Sequence, residues 1–434
     1  MTLPFSKHTL ANGLDVVLHE DHTCPIVAVN IWYHVGSKNE RSGHTGFAHL
    51  FEHLMFEGSQ HHDRSYLHPV QGAGGTLNGS TNADRTNYWE VVPAGALELA
   101  LWMESDRMGY LLPALTQAKF TNQRDVVLNE RRQNYENRPY GLAPMALLAE
   151  LFRPDHPYHW TTIGEVADLQ ATKLDEVHDF FRRYYHPANA SITIAGDMDP
   201  DAALELVDRY FGEIPAGERV PLVQAPAQLT SDARIFFEDR VELPRLYLAW
   251  ITPAMFADGD AELDLANDLL ANGKTSRLYR RLVFEERTAT DVSASQNSRE
   301  IGGYTQIVVT AAPGRPLGEL EQAVLEEIGR LVSDGPSDEE IERGRVHTEF
   351  QFMFRLQTVG GFGGKSDQLN AYNVFVGDPS YFDRDLERYR IVTPASMRRT
   401  VARYLDPSAR VTLSIVPRGR ADLAAPGSRA VAVS

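Results

Sequence analysis

The sequence predicts an α+β fold built from two related halves, and two observations support this prediction. Short runs rich in β-branched residues alternate with longer stretches in which apolar residues recur at helical spacing. Segments 183–188 and 50–57 of the first half also match segments 403–408 and 278–285 of the second, at offsets of 220 and 228 residues. Two matches at nearly the same period indicate an internal duplication.

The first half begins with a predicted hairpin and continues into alternating helices and strands. Asn12-Gly13 has the composition of a tight turn between two strands. The spacing of apolar residues predicts the remaining elements. The predicted strands are 5–10, 14–19, 26–35 and 191–197, and the predicted helices are 43–57, 94–109, 114–136, 142–152, 173–185 and a last one through Tyr210.

Regular periodicity fades between Ile214 and Asp232, where three prolines and a glycine interrupt the chain. This composition is typical of a linker. The sequence therefore predicts an N-terminal domain over 1–214, a linker over 215–232 and a related C-terminal domain over 233–434.

Composition excludes several functional classes. The chain has 434 residues, 43% of them hydrophobic, which suffices for two cores, and its single cysteine, Cys24, excludes an internal disulfide. A net charge of −17 argues against general nucleic-acid binding, which needs a basic surface.

No apolar run reaches the length of a membrane span, and no signal peptide is visible. We expect a cytoplasmic protein, or a periplasmic one if a leader has been removed.

The segment with the most chemical information is His49-Leu50-Phe51-Glu52-His53. At about 100° per residue, His49, Glu52 and His53 fall on one face of a helix, and the neighbouring apolar residues fall on the opposite face. Such a helix would bury its apolar side and present two imidazoles and a carboxylate to a cleft. The alternative is a solvated polar face that contains these residues by chance.

This set of residues suits zinc chemistry. Neutral imidazoles bind Zn²⁺ well, a catalytic site leaves one position to water, and a nearby carboxylate takes the proton of that water. Glu52 is the candidate general base. Two histidines leave the site one protein ligand short, and the candidate is Glu130, 77 residues after His53 on a predicted helix. Such a site accepts several divalent ions, so manganese and cobalt stay open as alternatives.

A family resemblance rests on this motif, on Glu130 and on the segment Gly74-Gly75-Thr76-Leu77-Asn78-Gly79-Ser80-Thr81-Asn82-Ala83-Asp84-Arg85-Thr86-Asn87-Tyr88. Together they resemble the pitrilysin/insulinase family of zinc peptidases, which carry the inverted His-x-x-Glu-His motif. The resemblance covers nearly the whole chain and extends to the bacterial relatives of the zinc subunit of mitochondrial processing peptidase. It implies two related domains, each with a mixed, largely antiparallel sheet flanked by helices, joined by the linker into a clamshell.

The resemblance also implies roles for individual residues. His49, His53 and Glu130 would bind one Zn²⁺ ion per chain, and Glu52 would act as the general base. A strand would pair with the backbone of a peptide substrate, as in β-augmentation at a sheet edge. The residues of that strand are Asn78, Gly79, Ser80 and Thr81.

One position departs from the family pattern. Gln123 stands seven residues before Glu130, where the family usually has a second glutamate. An amide still forms hydrogen bonds but carries no charge, so the support behind the metal ligands would be altered. Loss of zinc binding does not follow.

The second half lacks the residues for a zinc site and, by the resemblance, the usual oxyanion donors. Arginines occupy the positions that match the motif, namely Arg277, Arg280 and Arg281. Active relatives usually supply an arginine and, seven residues later, a tyrosine from this half, whereas the aligned residues here are Phe284 and Asp291. Neither stabilises an oxyanion. We therefore expect a heterodimer whose other, non-zinc subunit supplies the pair; the alternative is another residue of this chain, such as Arg287.

A glycine-rich segment, Gly360-Gly361-Phe362-Gly363-Gly364-Lys365-Ser366, ends like a phosphate-binding loop. Its glycine spacing does not match that motif. We interpret it as a tight turn or a mobile connection between helices.

The predicted function is a zinc metalloendopeptidase that hydrolyses peptides or unfolded segments in an enclosed chamber. Its expected partners are peptide substrates and a homologous non-zinc subunit, without nucleic acid or a membrane span. The alternative is a non-catalytic assembly subunit, similar to the family's core proteins of a respiratory complex. Retention of His49, Glu52, His53 and Glu130 counts against that alternative.

Overall fold

The computed structural model of the chain describes residues 3–433, which form two six-stranded sheets flanked by helices. The strands of the first sheet are β1 (Ser6–Thr9), β2 (Asp15–Glu20), β3 (Ile26–Tyr33), β4 (Thr76–Thr81), β5 (Thr86–Pro93) and β6 (Ala190–Gly196). Those of the second are β7 (Ala233–Asp239), β8 (Arg245–Thr252), β9 (Ala289–Asn297), β10 (Gly303–Ala311), β11 (Val411–Pro417) and β12 (Arg429–Ala430).

The α-helices differ in length from six to eighteen residues. They are α1 (Phe47–Leu54), α2 (Leu67–Gly72), α3 (Leu97–Ala114), α4 (Gln117–Arg131), α5 (Ala143–Leu151), α6 (Val166–Ala171), α7 (Leu174–Tyr184), α8 (Pro200–Phe211), α9 (Asp260–Ala271), α10 (Leu317–Ser333), α11 (Asp338–Arg355), α12 (Lys365–Val376), α13 (Phe382–Arg390) and α14 (Pro394–Tyr404). Two π-helical segments, Arg132–Glu136 and Tyr279–Glu285, accompany them. No helix within residues 3–433 is both long and apolar enough to span a membrane.

The two sheets have the same order in five of their six strands, the exceptions being the edge strands β1, which is antiparallel to β2, and β12, which is parallel to β7. The first runs β1-β2-β6-β3-β5-β4 and the second β12-β7-β11-β8-β10-β9. In both, one inner pair is parallel, β2 with β6 and β7 with β11, and the next three strands follow antiparallel. The predicted α+β fold with two mixed, largely antiparallel sheets is confirmed, and the shared order agrees with a duplication.

The chain packs as two compact units with one sheet each, but neither unit is a continuous segment. Within residues 3–433, unit 1 comprises the segment up to Asn129, Thr162–Val223 and Gln351–Arg384, and unit 2 comprises the remaining segments. The domains 1–214 and 233–434 stay a prediction, and the packing units differ from them mainly in two segments, 130–161 and 351–384. The physical reason is packing: α12 covers β6 and β3 of the first sheet, and α5 covers β11 and β8 of the second.

Helices cover both faces of the first sheet. Adjacent residues of a strand point to opposite faces, and Trp32 of β3 contacts Phe375 of α12, whereas Tyr33 contacts Tyr185, which follows α7. Because α1 and α7 also pack against each other, α1 lies on the face opposite α12. This arrangement places the helix with the zinc motif on one side of the sheet and the glycine-rich turn on the other.

Candidate metal centre and substrate strand

Helix α1 begins where the sequence and a distant carboxylate both favour a start. Gly46 precedes it in the left-handed conformation (φ 86°), which glycine adopts without a Cβ penalty. The Glu40 carboxylate accepts hydrogen bonds from the backbone N–H groups of Gly46 (3.0 Å) and Ala48 (2.9 Å). These bonds satisfy amides at the helix start that have no intrahelical partner.

The apolar face of α1 is buried and its polar face is partly open. Leu50, Phe51 and Leu54 are fully buried. The Tyr88 hydroxyl donates to the Phe51 carbonyl at 3.3 Å and so connects the helix to β5. The opposite face carries His49, Glu52 and His53, which are each partly exposed.

Helix α4 carries Glu130 in its last turn. Val127 and Leu128 bury one side of this turn. A π-helical segment begins directly after the helix, a feature frequent at functional sites. Within that segment, the Asn134 amide donates to the Glu130 carboxylate at 3.3 Å, while the buried Arg131 donates to Glu136 at 3.2 Å. Sequence reasoning missed Asn134, although its spacing of four residues from Glu130 on a predicted helix was available.

The three predicted ligands lie together. One ligand atom from each of His49, His53 and Glu130 lies within 4.8 Å of the other two. The centroids of the two imidazole rings are 4.8 Å apart, and the ring planes form an angle of 81°. Tetrahedral zinc sites hold their ligand atoms roughly 3.4 Å apart, since each Zn–N bond is about 2.1 Å. Two imidazoles and a carboxylate are also the donor set of catalytic zinc, so these residues fit the ion.

Glu52 lies within electrostatic reach of two buried tyrosines and one arginine. Burial raises the pKa of Tyr88 and of Tyr185, and the Glu52 carboxylate raises both further. Burial lowers the pKa of Arg85, and the charges of Asp367, Glu52 and Asp84 oppose that effect. Both phenols therefore stay protonated at neutral pH. The Arg85 guanidinium interacts electrostatically with the Glu52 carboxylate, the candidate base.

The candidate substrate strand β4 lies at the edge of the first sheet and pairs with β5. The turn between them closes with a bond from the Asn82 N–H to the Arg85 carbonyl at 3.0 Å. Regular antiparallel alternation from that pair leaves the backbone groups of Gly79 and Thr81 facing the open edge, where the Gly79 N–H donates to the Asn78 side-chain oxygen at 2.8 Å. Asn78 and Ser80 instead direct their backbone groups toward β5.

Gln123 is buried on α4, two turns before Glu130. Its amide donates to the Glu57 carboxylate, which follows the C-terminus of α1. Support of the metal ligands by Gln123 stays a prediction. The hydrogen bond between Gln123 and Glu57 joins the two segments that carry the candidate metal ligands.

The segment of unit 2 that matches the zinc motif carries ion pairs instead. Arg277 donates to both carboxylate oxygens of Glu340, each at 2.7 Å. Arg281 donates to Glu286 and Glu326, each at 2.7 Å. These arginines stabilise the helical packing of unit 2 and offer no metal ligand.

The residues aligned with the missing oxyanion donors are both at the surface of unit 2. Phe284 is 72% exposed in the π-helical segment, and Asp291 is exposed on β9, the outer strand of the second sheet. Arg287, the alternative, adopts a positive φ of 54° between them. Neither Phe284 nor Asp291 carries a hydrogen-bond donor suited to an oxyanion.

Two repeated sheets and a cluster of ligands on an inverted motif define a two-domain protein of the inverted-motif zinc-peptidase class. Two family models match the chain in agreement with that class. The model described as "Insulinase (Peptidase family M16)" matches residues 15–159, and the one described as "Peptidase M16 inactive domain" matches residues 172–345. The chain belongs to peptidase family M16.

Several named proteins have similar sequences. "Zinc protease PqqE" of Helicobacter pylori is 27% identical over 82% of this chain and 81% of that protein. "Uncharacterized zinc protease YmxG" of Bacillus subtilis is 23% identical over 81% of this chain and 84% of its own length. "Mitochondrial-processing peptidase subunit beta" of Caenorhabditis elegans is 25% identical over 56% of this chain and 52% of that protein.

Solved structures share the fold over almost the whole chain. A protease from Helicobacter pylori matches with a TM-score of 0.88 and 24% identity, covering 96% of this chain and 100% of that one. The periplasmic protease PqqL from Escherichia coli matches with a TM-score of 0.78 and 17% identity, covering 96% of this chain but 48% of that one. At these identities the likeness concerns the fold alone.

Proposed function

We propose that this chain is a zinc-dependent endopeptidase that cleaves extended peptides or unfolded segments. The observation that supports it is the approach of His49, His53 and Glu130 to within 4.8 Å of one another, with Glu52 on the same helix face as the histidines. Similar proteins are named zinc proteases, which agrees with this proposal. Zinc held by these three residues would supply a Lewis acid for the scissile carbonyl and acidify an attacking water.

The residues of the chain have separate tasks in this reaction. Glu52 accepts the proton of the attacking water and then gives a proton to the leaving amine. The open edge of β4 pairs with the substrate backbone through the Gly79 carbonyl and the backbone groups of Thr81. Pairing of this kind selects an extended chain and excludes a folded one, which is why unfolded peptides are the proposed substrates.

The proposed partner is a homologous non-zinc subunit that supplies the oxyanion donors. Phe284 and Asp291 do not provide them, and the relative PqqL is a chain about twice as long, whose first half alone matches 96% of this chain. So long a chain contains a second half of similar size in the same polypeptide. For the present chain, a separate subunit would take the place of that second half.

A non-catalytic assembly subunit is the second candidate. The match of residues 172–345 to the "Peptidase M16 inactive domain" favours it, although the match begins after the zinc motif and Glu130 and lies mostly in the second half. The two candidates differ in turnover rather than in metal content.

The test compares the wild-type chain with the Glu52→Gln variant, using hydrolysis of a mixed library of unstructured peptides and zinc measured by mass spectrometry. We expect one zinc in both proteins and a loss of roughly 10²- to 10⁴-fold in turnover in the variant, the usual contribution of a general base. Glu205→Gln, at an exposed position of α8, is the matched control and should keep full activity. Retained turnover in Glu52→Gln would refute the assigned base, and no cleavage by any form, with or without a partner, would favour the assembly role.

A further inference from the structure

A row of polar and aromatic residues crosses the first sheet on the face covered by α12. Cross-strand partners align from β4 to β2 in the order Ser80, Asn87, Trp32, Ser191 and Asp15. Asn87, Trp32 and Ser191 are buried. Buried polar groups are costly without hydrogen-bond partners, so the element that covers this row must supply them.

Helix α12 supplies the partners from one of its faces. Asn373 donates to Asp15 (3.0 Å) and Ser191 (2.9 Å) at the β2 end of the row. Asp367 lies two turns earlier, at the end near β4. The two residues therefore serve opposite ends of the same row, with Asn370 between them.

The Asp367 carboxylate collects four donors. One of its oxygens accepts from Asn30 (3.1 Å), Trp32 (2.9 Å) and Asn87 (3.1 Å), and the other accepts from the Gly363 N–H (2.7 Å). Hydrogen bonds to an ionised carboxylate are stronger than neutral ones. This single side chain thus holds β3, β5 and the glycine-rich turn together.

A hydrogen-bond chain continues from Asp367 to the edge strand. The Asn87 amide donates to Asp367, and its oxygen accepts from the Ser80 hydroxyl at 2.7 Å. Arg85 donates to the Ser80 carbonyl (2.8 Å) and hydroxyl (2.6 Å), and its guanidinium lies over the Trp32 ring, 5.0 Å from the centroid. The orientation of the Asn87 amide, fixed by Asp367, therefore fixes Ser80 on β4.

The glycine-rich turn allows Asp367 to reach this position. A Cβ at Gly360 would lie 2.5 Å from a methyl of Val91 and 2.6 Å from Cβ of Ala28, so only glycine permits this approach to β3 and β5. Gly361 and Gly363 also have positive φ angles of 83° and 75°. The tight-turn interpretation of this segment agrees with its geometry, and its function is to seat α12 on the sheet.

We propose that Asp367 is a positioning residue for the peptide-pairing strand β4, acting through Asn87 and Ser80. The proposal rests on the proposed function, because it assumes that β4 pairs with substrate. Asp367 lies on the face of the sheet opposite α1. Its loss should therefore alter the strand without removing a metal ligand.

The experiment uses the full zinc-loaded chain and a matched pair of variants, Asp367→Ala and Asn373→Ala. Both remove a polar group from the same face of α12, but only the first lies at the β4 end of the row. Hydrogen–deuterium exchange should become about tenfold faster at residues 76–88 in Asp367→Ala, the effect of losing charge-assisted hydrogen bonds. In Asn373→Ala the faster exchange should appear at residues 15–20 and 190–196 instead.

Peptide hydrolysis gives the functional readout. Asp367→Ala should raise KM about tenfold with kcat nearly unchanged, and Asn373→Ala should leave both unchanged. Asp367→Asn keeps an oxygen acceptor for the three side-chain donors and should restore most of the wild-type KM. Equal exchange of residues 76–88 in both alanine variants, or unchanged exchange there in Asp367→Ala, would overturn the proposal. If no form of the chain cleaves peptides but exchange changes as expected, the peptidase function fails while the positioning of β4 by Asp367 stands.

Discussion

Asp264 of α9 is a carboxyl group that holds a proton near neutral pH. Burial raises its pKa to about 7, and the charge of Asp260 adds to that effect. A hydrogen bond from the Tyr389 hydroxyl (2.7 Å) and the charge of Arg388 act in the opposite direction, while Asp385 adds a further negative charge. Because the unfolded chain releases this proton near its ordinary pKa of 3.8, native stability decreases as pH rises from there to about 7.

We predict that Asp264→Asn removes this pH dependence. Relative to wild type, the variant should be about 4 kcal/mol more stable at pH 8 and nearly equal at pH 4, because the amide does not ionise in its buried site. Urea unfolding at several pH values measures the difference. The control is Asp258→Asn, at an exposed position just before α9, which makes the same substitution outside the buried site. A constant difference for Asp264→Asn would show that this carboxyl does not titrate in that range.

At the level of elements, the start of α1 determines where the zinc motif points. Glu40 is six residues before Gly46, yet it accepts bonds from two amides at the helix start. A side chain that caps a helix from outside fixes the direction of the first turn as well as its stability. His49 lies in that turn, so the position of the first metal ligand depends on this cap.

We predict that Glu40→Ala lowers the free energy of unfolding by about 1 kcal/mol, the usual effect of losing a helix cap. Zinc affinity should fall as well, because His49 would be held less firmly. Chemical denaturation and competition with a zinc chelator measure the two effects. Glu40→Gln keeps one oxygen acceptor and should show a smaller loss of both. Unchanged zinc affinity in Glu40→Ala would show that zinc binding does not depend on this helix cap.

The predicted elements of the first half agree with the observed ones where periodicity is long. Strand β3 was predicted over 26–35 and spans Ile26–Tyr33, and the helix predicted over 173–185 spans Leu174–Tyr184. The first motif helix was predicted from residue 43 but begins at Phe47, because Gly43 and Gly46 adopt positive φ angles. Helices α2 and α6 were not predicted, since six residues are too few for a helical period to be recognised.

At the scale of the whole molecule, Phe284 and Asp291 lead to a prediction about assembly, because neither can stabilise an oxyanion. The isolated chain should bind one zinc but cleave peptides slowly. Addition of a homologous chain with an arginine and a tyrosine seven residues later should raise kcat, because these side chains stabilise an oxyanion. Activity assays after mixing, with size-exclusion chromatography of the complex, test this. Full activity of the isolated monomer would exclude an obligatory partner. The compartment, cytoplasmic or periplasmic, stays a prediction.

The sequence by itself determined the fold class, most elements of the first half and the residues His49, Glu52 and His53. These features are encoded locally, by periods of two or 3.6 residues and by side chains that share one helix face. Tertiary structure decided the approach of Glu130 to the histidines, the exchange of segments 130–161 and 351–384 between the halves, and the hydrogen bonds of Asp367. These features depend on contacts between residues far apart in the chain, such as Asn87 and Asp367, which no local pattern encodes.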